Sequence, residues 1–263
     1  MQAFDSLSRD IQQYIYDKGW PSLTHIQNAA IKQVANTDHN LILSAPTASG
    51  KTEAAFIPAL NSVEDWETGL KVLYISPLKA LINDQFHRIS ELSEYLDIPI
   101  TRWHGEVSQA QKKKVVNQPK GVLLITPESI EGMLVNRPGE AQHLFKGVEW
   151  IIIDELHSFL GTERGIHLQS LLQRISRFMQ APRFIAMSAT LNKKDFGYAK
   201  AFFGSPRHTD ILVDRDKNDL FITIDYTSGE AGPFVARESL EAIYRYSKTE
   251  TMLIFPNSRN RVE

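Results

Sequence analysis

Two groups of residues in this sequence combine the types and spacing that nucleotide chemistry requires. The first is "SAPTASGKT", residues 44–52, which directly follows the apolar run "LIL". Successive backbone amides of such a loop can point into one concavity, and a helix that begins near Gly50 adds its positive end. Lys51 then places a mobile charge between the outer phosphates, and the Thr52 hydroxyl can bind Mg²⁺. The pattern predicts a loop that binds a nucleoside triphosphate with its magnesium ion.

The phosphate contacts are expected from six consecutive residues, Thr47, Ala48, Ser49, Gly50, Lys51 and Thr52. Gly50 allows the backbone to approach a phosphate closely. Ala45 stands where the general pattern has its first glycine. The alternative interpretation is an ordinary strand-to-helix loop with a solvent-facing lysine.

The second group lies in "EWIIIDELHSF", where an apolar run ends at Asp154 and Glu155. Both carboxylates then emerge at the carboxyl edge of a sheet, where open α/β folds bind their ligands. In enzymes with a phosphate loop, one acid holds the metal ion and another residue can activate the attacking water. Asp154 is the predicted metal holder and Glu155 the predicted catalytic base. Taken without the phosphate loop, the two acids could equally be a solvated strand end.

These residues need a parallel sheet with helices on both faces to position them, and the sequence predicts an α/β fold of that kind. Short β-branched runs alternate with longer helical patterns. The predicted strands are nearly all apolar, as in strands buried on both faces, and comprise 40–45, 71–76, 98–103, 121–126, 149–154 and 184–189. The predicted helices lie near 8–18, 24–36, 51–62, 79–96, 108–117, 128–135 and 163–180.

Composition excludes several other classes of protein. The chain has 263 residues, 42% of them hydrophobic and 23% charged, with a formal charge of −2. That balance argues against a surface that binds polyanions everywhere, although a local phosphate-binding groove remains compatible with it. Cysteine is absent, which excludes disulfides and cysteine-based catalytic or metal sites. No leader peptide or long apolar run is visible, so we expect a soluble cytoplasmic protein with no membrane partner.

The pattern changes late in the chain, which predicts three parts. We expect a first domain at 1–209, a strand-rich connector at 210–233, and the beginning of a further unit at 234–263. Turn residues Gly229, Gly232 and Pro233 close the connector. Because the last part reads as a helix followed by a strand and little else, a truncated sequence is expected.

The order of motifs along the chain resembles superfamily 2 DExH-box ATP-dependent helicases. The motifs that carry this resemblance are "GWPSLTHIQ", "APTASGKT", "SPLKALINDQ", "TPES", "DELH", "SAT" and "LIFPNSR". The segment "DELHSFLGTERGIHLQSLLQRI" is most similar in sequence to the large helicase-related, or Lhr-type, branch. The resemblance implies two RecA-like lobes that clamp ATP between them, with single-stranded nucleic acid across both. This chain would then hold the first lobe and a fragment of the second.

Residue roles follow from this resemblance position by position. Gln27 matches the glutamine that reads the edge of adenine, and Trp20 takes the aromatic place of the same motif, with Phe4 as a rival stacking residue. His157 matches the last position of the DExH motif. Ser188 and Thr190 match the "SAT" motif that couples hydrolysis to unwinding. As alternatives, either aromatic residue could belong to the core, and His157 could be purely structural.

Two further motifs occupy the family's positions for contact with the nucleic-acid backbone. The residues concerned are Pro77, Lys79, Thr126, Pro127 and Glu128. Both motifs are expected to open helices, whose first amides can bind phosphate oxygens. For Thr126 the alternative is plain helix capping. The lysines of "QKKKVV" are more typical of a solvated helix face, and neither "WHGEVSQ" nor Arg164-Gly165 receives a role.

The resemblance predicts an ATP-dependent helicase or translocase. DNA is favoured over RNA as its substrate because the sequence resembles the Lhr-type branch. An RNA helicase of the exosome-associated type and a double-strand translocase are the alternatives within this class. A non-catalytic nucleotide-binding module is the alternative outside it. In the family the second lobe supplies an arginine finger, typically worth ~10³ to 10⁵ in rate. We therefore expect this chain alone to bind ATP with Mg²⁺, to hydrolyse it slowly and not to unwind.

Overall fold

A computed structural model describes residues 2–214 together with residues 241, 244 and 245. The chain divides into two compact units, Met1–Lys217 and Asn218–Glu263. In the second unit the described residues are helical. The predicted connector beyond residue 214 and most of the predicted fragment 234–263 lie outside the described residues.

The first unit alternates strands with helices along residues 2–214. Its strands are β1 (Asn40–Ser44), β2 (Gly69–Ile75), β3 (Ile100–Trp103), β4 (Lys120–Ile125), β5 (Trp150–Ile153), β6 (Arg183–Ser188) and β7 (Thr209–Val213). Its α-helices are α1 (Arg9–Asp17), α2 (His25–Asn36), α3 (Lys51–Ser62), α4 (Lys79–Tyr95), α5 (Gln109–Asn117), α6 (Pro127–Asn136), α7 (Pro138–Phe145), α8 (Glu163–Ser176) and α9 (Phe196–Ala201). Short 3₁₀ turns occupy Phe4–Ser6, Leu156–Ser158 and Lys193–Asp195.

All seven strands form one parallel sheet in the order β3-β4-β2-β5-β6-β1-β7. Strands β5, β6 and β1 are neighbours, with Ile152 opposite Ile185 and Ile42 opposite Ala186. Because the strands are parallel, the segments that follow β1, β5 and β6 leave the sheet at the same edge. The phosphate loop, the acid pair and the "SAT" motif therefore meet there.

The apolar strand residues divide between the two faces of the sheet. Leu41 and Leu43 pack into one buried cluster, whereas Ile42 between them packs into the other. Alternation of this kind is the period-two rule of strands, applied to a sheet with helices on both sides. The burial of both faces holds the sheet edge rigidly in place.

The predicted α/β class with a helix-flanked parallel sheet is confirmed, and the six predicted strands and seven predicted helices are all present. Helices α7 and α9 were missed, and the residues of β7 were predicted as the start of the strand-rich connector rather than as part of this sheet. Among the described residues β7 pairs with β1 alone and is half-buried along most of its length, so it lacks the continuous burial that marks the inner strands. The sheet therefore continues to Val213, beyond the predicted domain end at 209.

One missed helix and one predicted helix end have simple physical explanations. Pro138 is the first residue of the missed helix α7, a position where the missing N–H costs nothing. Helix α8 ends at Ser176 rather than near 180, and a turn follows it.

Candidate nucleotide and nucleic-acid site

The phosphate loop spans residues 45–50 between β1 and α3. Ala48 and Gly50 have left-handed backbone conformations, with φ of 62° and 83°. The Lys51 ammonium donates hydrogen bonds of 2.5 Å to the carbonyl oxygens of Ala45 and Pro46. These bonds fold the lysine over the loop at the start of α3. A bound nucleotide phosphate would replace these two neutral carbonyls as the acceptor of the ammonium's hydrogen bonds.

Lys51 is also held close to the acid pair. Burial lowers the pKa of Lys51, while the nearby carboxylates of Glu155 and Asp154 act against that shift. The ammonium therefore shares one electrostatic environment with both acids, although the sequence separates them widely. A phosphate bound there would lie between the lysine and a metal ion near Asp154.

Asp154 is a buried carboxylate directly after β5. The Tyr74 hydroxyl donates to its Oδ2, and the Glu155 backbone N–H donates to its Oδ1 at 2.9 Å. Burial raises the pKa of Asp154, because a charge removed from water is costly. Within residues 2–214, Asp154 takes part in no ion pair. A divalent cation would supply the missing opposite charge.

Thr52 completes the oxygen donors that fit a magnesium ion. Its hydroxyl is buried near the start of α3 and donates a 3.2 Å hydrogen bond to Gln85 Oε1 on α4. Mg²⁺ prefers hard oxygen ligands and usually keeps several waters, so one carboxylate and one hydroxyl are a sufficient protein contribution. The chemistry of Thr52 and Asp154 therefore fits Mg²⁺.

The predicted base, Glu155, has a left-handed backbone with φ of 47° and ψ of 46°. Non-glycine residues seldom adopt this conformation, and such strain concentrates at functional sites. Its Oε2 lies 3.2 Å from His157 Nδ1 without hydrogen-bond alignment, and this buried oxygen has no hydrogen-bond partner among the described residues. Burial beside His157 therefore leaves this carboxylate oxygen without a hydrogen bond in the described part of the chain.

A short polar chain connects this base to the neighbouring strand. Ser188, the last residue of β6, places its hydroxyl 3.4 Å from His157 Nδ1 and donates to the Thr190 carbonyl at 2.9 Å. Glu155, His157, Ser188 and Thr190 are thus in sequence along one path. Direct contacts therefore connect Glu155 to the "SAT" segment.

The residues predicted to bind adenine lie at two different places, a surface cleft and the start of α2. Trp20 and Phe4 line one cleft of about 460 Å³. Gln27 does not line it: its Oε1 accepts from the Thr24 N–H at 2.9 Å, and its Nε2 lies 3.4 Å from the Gly50 carbonyl. Gln27 thus completes a capping box at the start of α2 and contacts the phosphate loop. One lone pair and one N–H of the amide remain for a base.

The predicted nucleic-acid residues lie at the starts of two helices that follow β2 and β4. Lys79 begins α4, where its ammonium pairs with Glu106 at 2.7 Å. Thr126 caps α6 by accepting from the Ser129 N–H at 3.3 Å, with Pro127 as the first helical residue. Capping, the alternative interpretation of Thr126, is therefore present. Pro77 precedes α4 in the adjacent loop.

Arg164 is a residue whose role the sequence did not reveal. It donates to Glu128 Oε1 at 2.6 and 2.9 Å, and to the Pro77 carbonyl at 2.5 Å. One guanidinium on α8 thus holds the starts of the two helices that carry the predicted nucleic-acid contacts. The Glu128 carboxylate pairs with the Arg164 guanidinium. This pairing, rather than contact with a phosphate, is the role that the structure shows for the carboxylate. The one sequence signal for Arg164 is the Arg164-Gly165 pair that follows Asp154 and Glu155.

Gly165 allows the first turn of α8 to lie against the backbone of the segment that precedes it. A Cβ at Gly165 would lie 1.8 Å from the Phe159 carbonyl oxygen, whereas at Gly132 on the exposed side of α6 nothing lies within 4 Å. We expect Gly165→Ala to lower the free energy of unfolding by about 3 kcal/mol through overpacking. The control Gly132→Ala should raise it by up to ~1 kcal/mol. Urea unfolding of both variants measures this, and equal effects would contradict the packing assigned to Gly165.

Asp154→Asn tests the cost of the buried charge. Because burial raises the folded-state pKa of Asp154 above the usual 3.8, folding favours the protonated form. The stability penalty is absent below pH 3.8, grows as the pH rises to the folded-state pKa, and is complete above it. We expect Asp154→Asn to raise the urea midpoint at neutral pH without metal, and to lose this advantage in acid. A lower midpoint at neutral pH would show that the charge stabilises the fold.

The sheet, the phosphate loop and the acid pair together define a RecA-like P-loop domain. Residues 24–196 match the DEAD/DEAH box helicase family, and the chain belongs to this family. Among the residues that the structure describes, no helix combines the length and apolar character needed to span a membrane.

Relatives confirm the predicted resemblance to Lhr-type helicases. The ATP-dependent helicase Lhr-Core of Methanocaldococcus jannaschii is 28% identical over 285 residues, which cover 100% of this chain and 33% of that protein. The Lhr helicase/uracil glycosylase of Escherichia coli is 32% identical over 214 residues, or 72% of this chain and 13% of that protein. This chain thus spans a third or less of these relatives.

A solved structure shares the same architecture. The Mycobacterium smegmatis helicase Lhr, bound to single-stranded DNA and AMP-PNP, superposes with a TM-score of 0.71 and 26% identity. The match covers 82% of this chain and 28% of that chain.

Proposed function

We propose that this chain is the ATP-binding motor lobe of a helicase or translocase that acts on single-stranded nucleic acid. The observation that carries the proposal is the placement of Lys51, Asp154 and Glu155 at one sheet edge, with a polar path from Glu155 to Ser188. A phosphate loop alone would support only nucleotide binding. The added base and the path to a second motif support hydrolysis coupled to movement.

Each residue has a defined part in the proposed reaction. The amides of residues 47–52 and the Lys51 ammonium bind the phosphates of ATP, and Thr52 and Asp154 hold Mg²⁺, which neutralises charge on the phosphates when bound. The Glu155 carboxylate takes a proton from the attacking water. Trp20 or Phe4 stacks on adenine while Gln27 reads its edge.

The nucleic-acid strand is proposed to cross the starts of α4 and α6. Helix N-termini bind phosphate oxygens through free amides and the helix dipole, and Lys79 adds a positive charge there. Arg164 keeps the two helix starts at a fixed spacing, which is the geometric requirement for contacting successive phosphates of one strand. Its substitution should therefore disturb strand binding without removing a phosphate contact.

Single-stranded DNA is the proposed substrate, and single-stranded RNA is the second candidate. The M. smegmatis relative is bound to single-stranded DNA, and backbone contacts of the kind proposed here do not themselves read a 2′-hydroxyl. A non-catalytic nucleotide module is less consistent with a strained acid at position 155 whose buried oxygen has no hydrogen bond among the described residues.

Strand binding tests this interface with a closely matched pair of lysines. Lys79 pairs with Glu106 at 2.7 Å, and Lys120, at the start of β4, pairs with Glu67 at 2.8 Å, with comparable exposure. Lys120 lies at the opposite end of its strand from α6, away from the proposed interface. We expect Lys79→Ala to weaken binding of a labelled single strand and to reduce the salt slope by roughly 0.7. Lys120→Ala should leave both unchanged.

Fluorescence anisotropy at several salt concentrations measures this with DNA and RNA of the same sequence. Tighter binding of the DNA strand supports the proposed substrate, and tighter binding of the RNA strand assigns the second candidate. Equal effects of the two lysine substitutions would refute the proposed interface.

A further inference from the structure

Three potential metal ligands converge at the sheet edge opposite the phosphate loop. His39 directly precedes β1, and Asn40 is opposite Thr209 in the parallel β1–β7 pair. His39 therefore lies beside His208, which directly precedes β7. Residues two apart on a strand face the same side, so Asp210 joins His208 on that face. The register of the two strands brings all three side chains together.

The ligating atoms are close enough to share one ion. His39 Nδ1 lies 2.6 Å from Asp210 Oδ2, and His208 Nε2 lies 3.2 Å from Asp210 Oδ1. One ligand atom from each of the three residues can be chosen so that all lie within 4.8 Å of one another. Zn²⁺ binds such atoms at about 2.0–2.2 Å in a tetrahedron, which puts neighbouring ligand atoms roughly 3.3 Å apart. Side-chain adjustments of about 1 Å are sufficient to reach that arrangement.

The surroundings hold these ligands in place. The Gln33 amide on α2 donates to Asp210 Oδ2 at 2.5 Å, which is the kind of outer contact that orients metal ligands. Arg207 bonds the carboxylate of Asp38 at 2.6 Å, joining the two segments that precede β1 and β7. The side chain of His208 is 58% exposed, so an ion can enter from solvent.

We propose that His39, His208 and Asp210 bind a divalent transition-metal ion, and that Zn²⁺ is the ion this donor set favours. Two imidazoles and one carboxylate are a common protein contribution to zinc, with water in the fourth position. The ion crosslinks the start of β7 to the start of β1. Five strand residues separate it from the phosphate loop, roughly 16 Å, so it takes no part in ATP hydrolysis.

Zinc titration of the whole chain, freed of any histidine tag and pretreated with chelator, tests the site. We expect binding of one Zn²⁺ per chain by calorimetry, with a rise in the thermal midpoint because the ion binds only the folded protein. His208→Ala should abolish this binding. Gln33→Ala should weaken it by about tenfold or more, and the exposed control His143→Ala should leave it unchanged.

Cobalt provides a second readout that does not depend on stability. Co²⁺ in the site should give visible absorption bands in the unsubstituted chain and in His143→Ala, and lose them in His208→Ala. Circular dichroism verifies that the variants fold. Absence of one-to-one binding, or equal binding by His208→Ala and His143→Ala, would overturn the proposal and leave a hydrogen-bonded cluster that joins two strands.

Discussion

Lys51→Ala is expected to weaken binding of Mg·ATP to this chain by about a hundredfold or more. The ammonium would contact the outer phosphates through charge-assisted hydrogen bonds, each worth about 1.5–3 kcal/mol, and every 1.4 kcal/mol is roughly a factor of ten. The side chain now donates to the Ala45 and Pro46 carbonyls at the loop itself, so it stands where phosphate would bind.

A fluorescent ATP analogue, displaced by unlabelled ATP, measures this affinity. Lys79→Ala is the matched control, because Lys79 also begins a helix after a strand of the same sheet, but not the one at the phosphate loop. Its nucleotide affinity should equal that of the unsubstituted chain. If Lys51→Ala and the control bind ATP equally well, residues 45–52 are an ordinary strand-to-helix loop.

Glu155→Gln is expected to abolish hydrolysis while leaving ATP binding intact. A positioned base contributes typically ~10² to 10⁴ in rate, and a neutral amide cannot take the proton from water. Gln keeps the size of the side chain and can retain the strained backbone after Asp154. Nucleotide affinity should therefore stay within about threefold of the unsubstituted value, a difference below ~1 kcal/mol.

Single-turnover hydrolysis, with protein in excess over labelled ATP, detects even slow rates. Glu163→Gln is the control, because Glu163 is an exposed acid near Glu155 in sequence, in the first turn of α8. It should hydrolyse ATP at the unsubstituted rate. Loss of binding and hydrolysis together in Glu155→Gln would contradict the separate roles of Lys51 and Glu155.

The sheet, and the placement at its edge of the residues predicted to bind nucleotide, could be predicted because their signals are local. Buried parallel strands read as continuous apolar runs, and "SGKT" and "DELH" each follow one directly. The parallel arrangement then dictates that such loops meet at one edge. Lys51 and Asp154 lie close together because they follow parallel strands of the same sheet.

Contacts between distant segments could not be predicted in the same way. Arg164 bonds Pro77 and Glu128, which lie 87 and 36 residues away, and no periodic pattern relates such positions. The sequence also did not reveal that the Gln27 amide, which is predicted to bind adenine, caps α2 and contacts Gly50. His39 and Asp210 meet because β7 joins the sheet, and the half-buried residues of β7 were predicted to belong to a connector rather than to this sheet.

The most direct test of the motor proposal is ATP hydrolysis by the protein in its natural length. Rates with Mg²⁺ are compared without a strand, with single-stranded DNA and with RNA of the same sequence, and the Glu155→Gln protein serves as the blank. We expect hydrolysis that one of the strands stimulates strongly and that the blank lacks. ATP that binds but is not hydrolysed with either strand would contradict the motor proposal and leave a nucleotide-binding module.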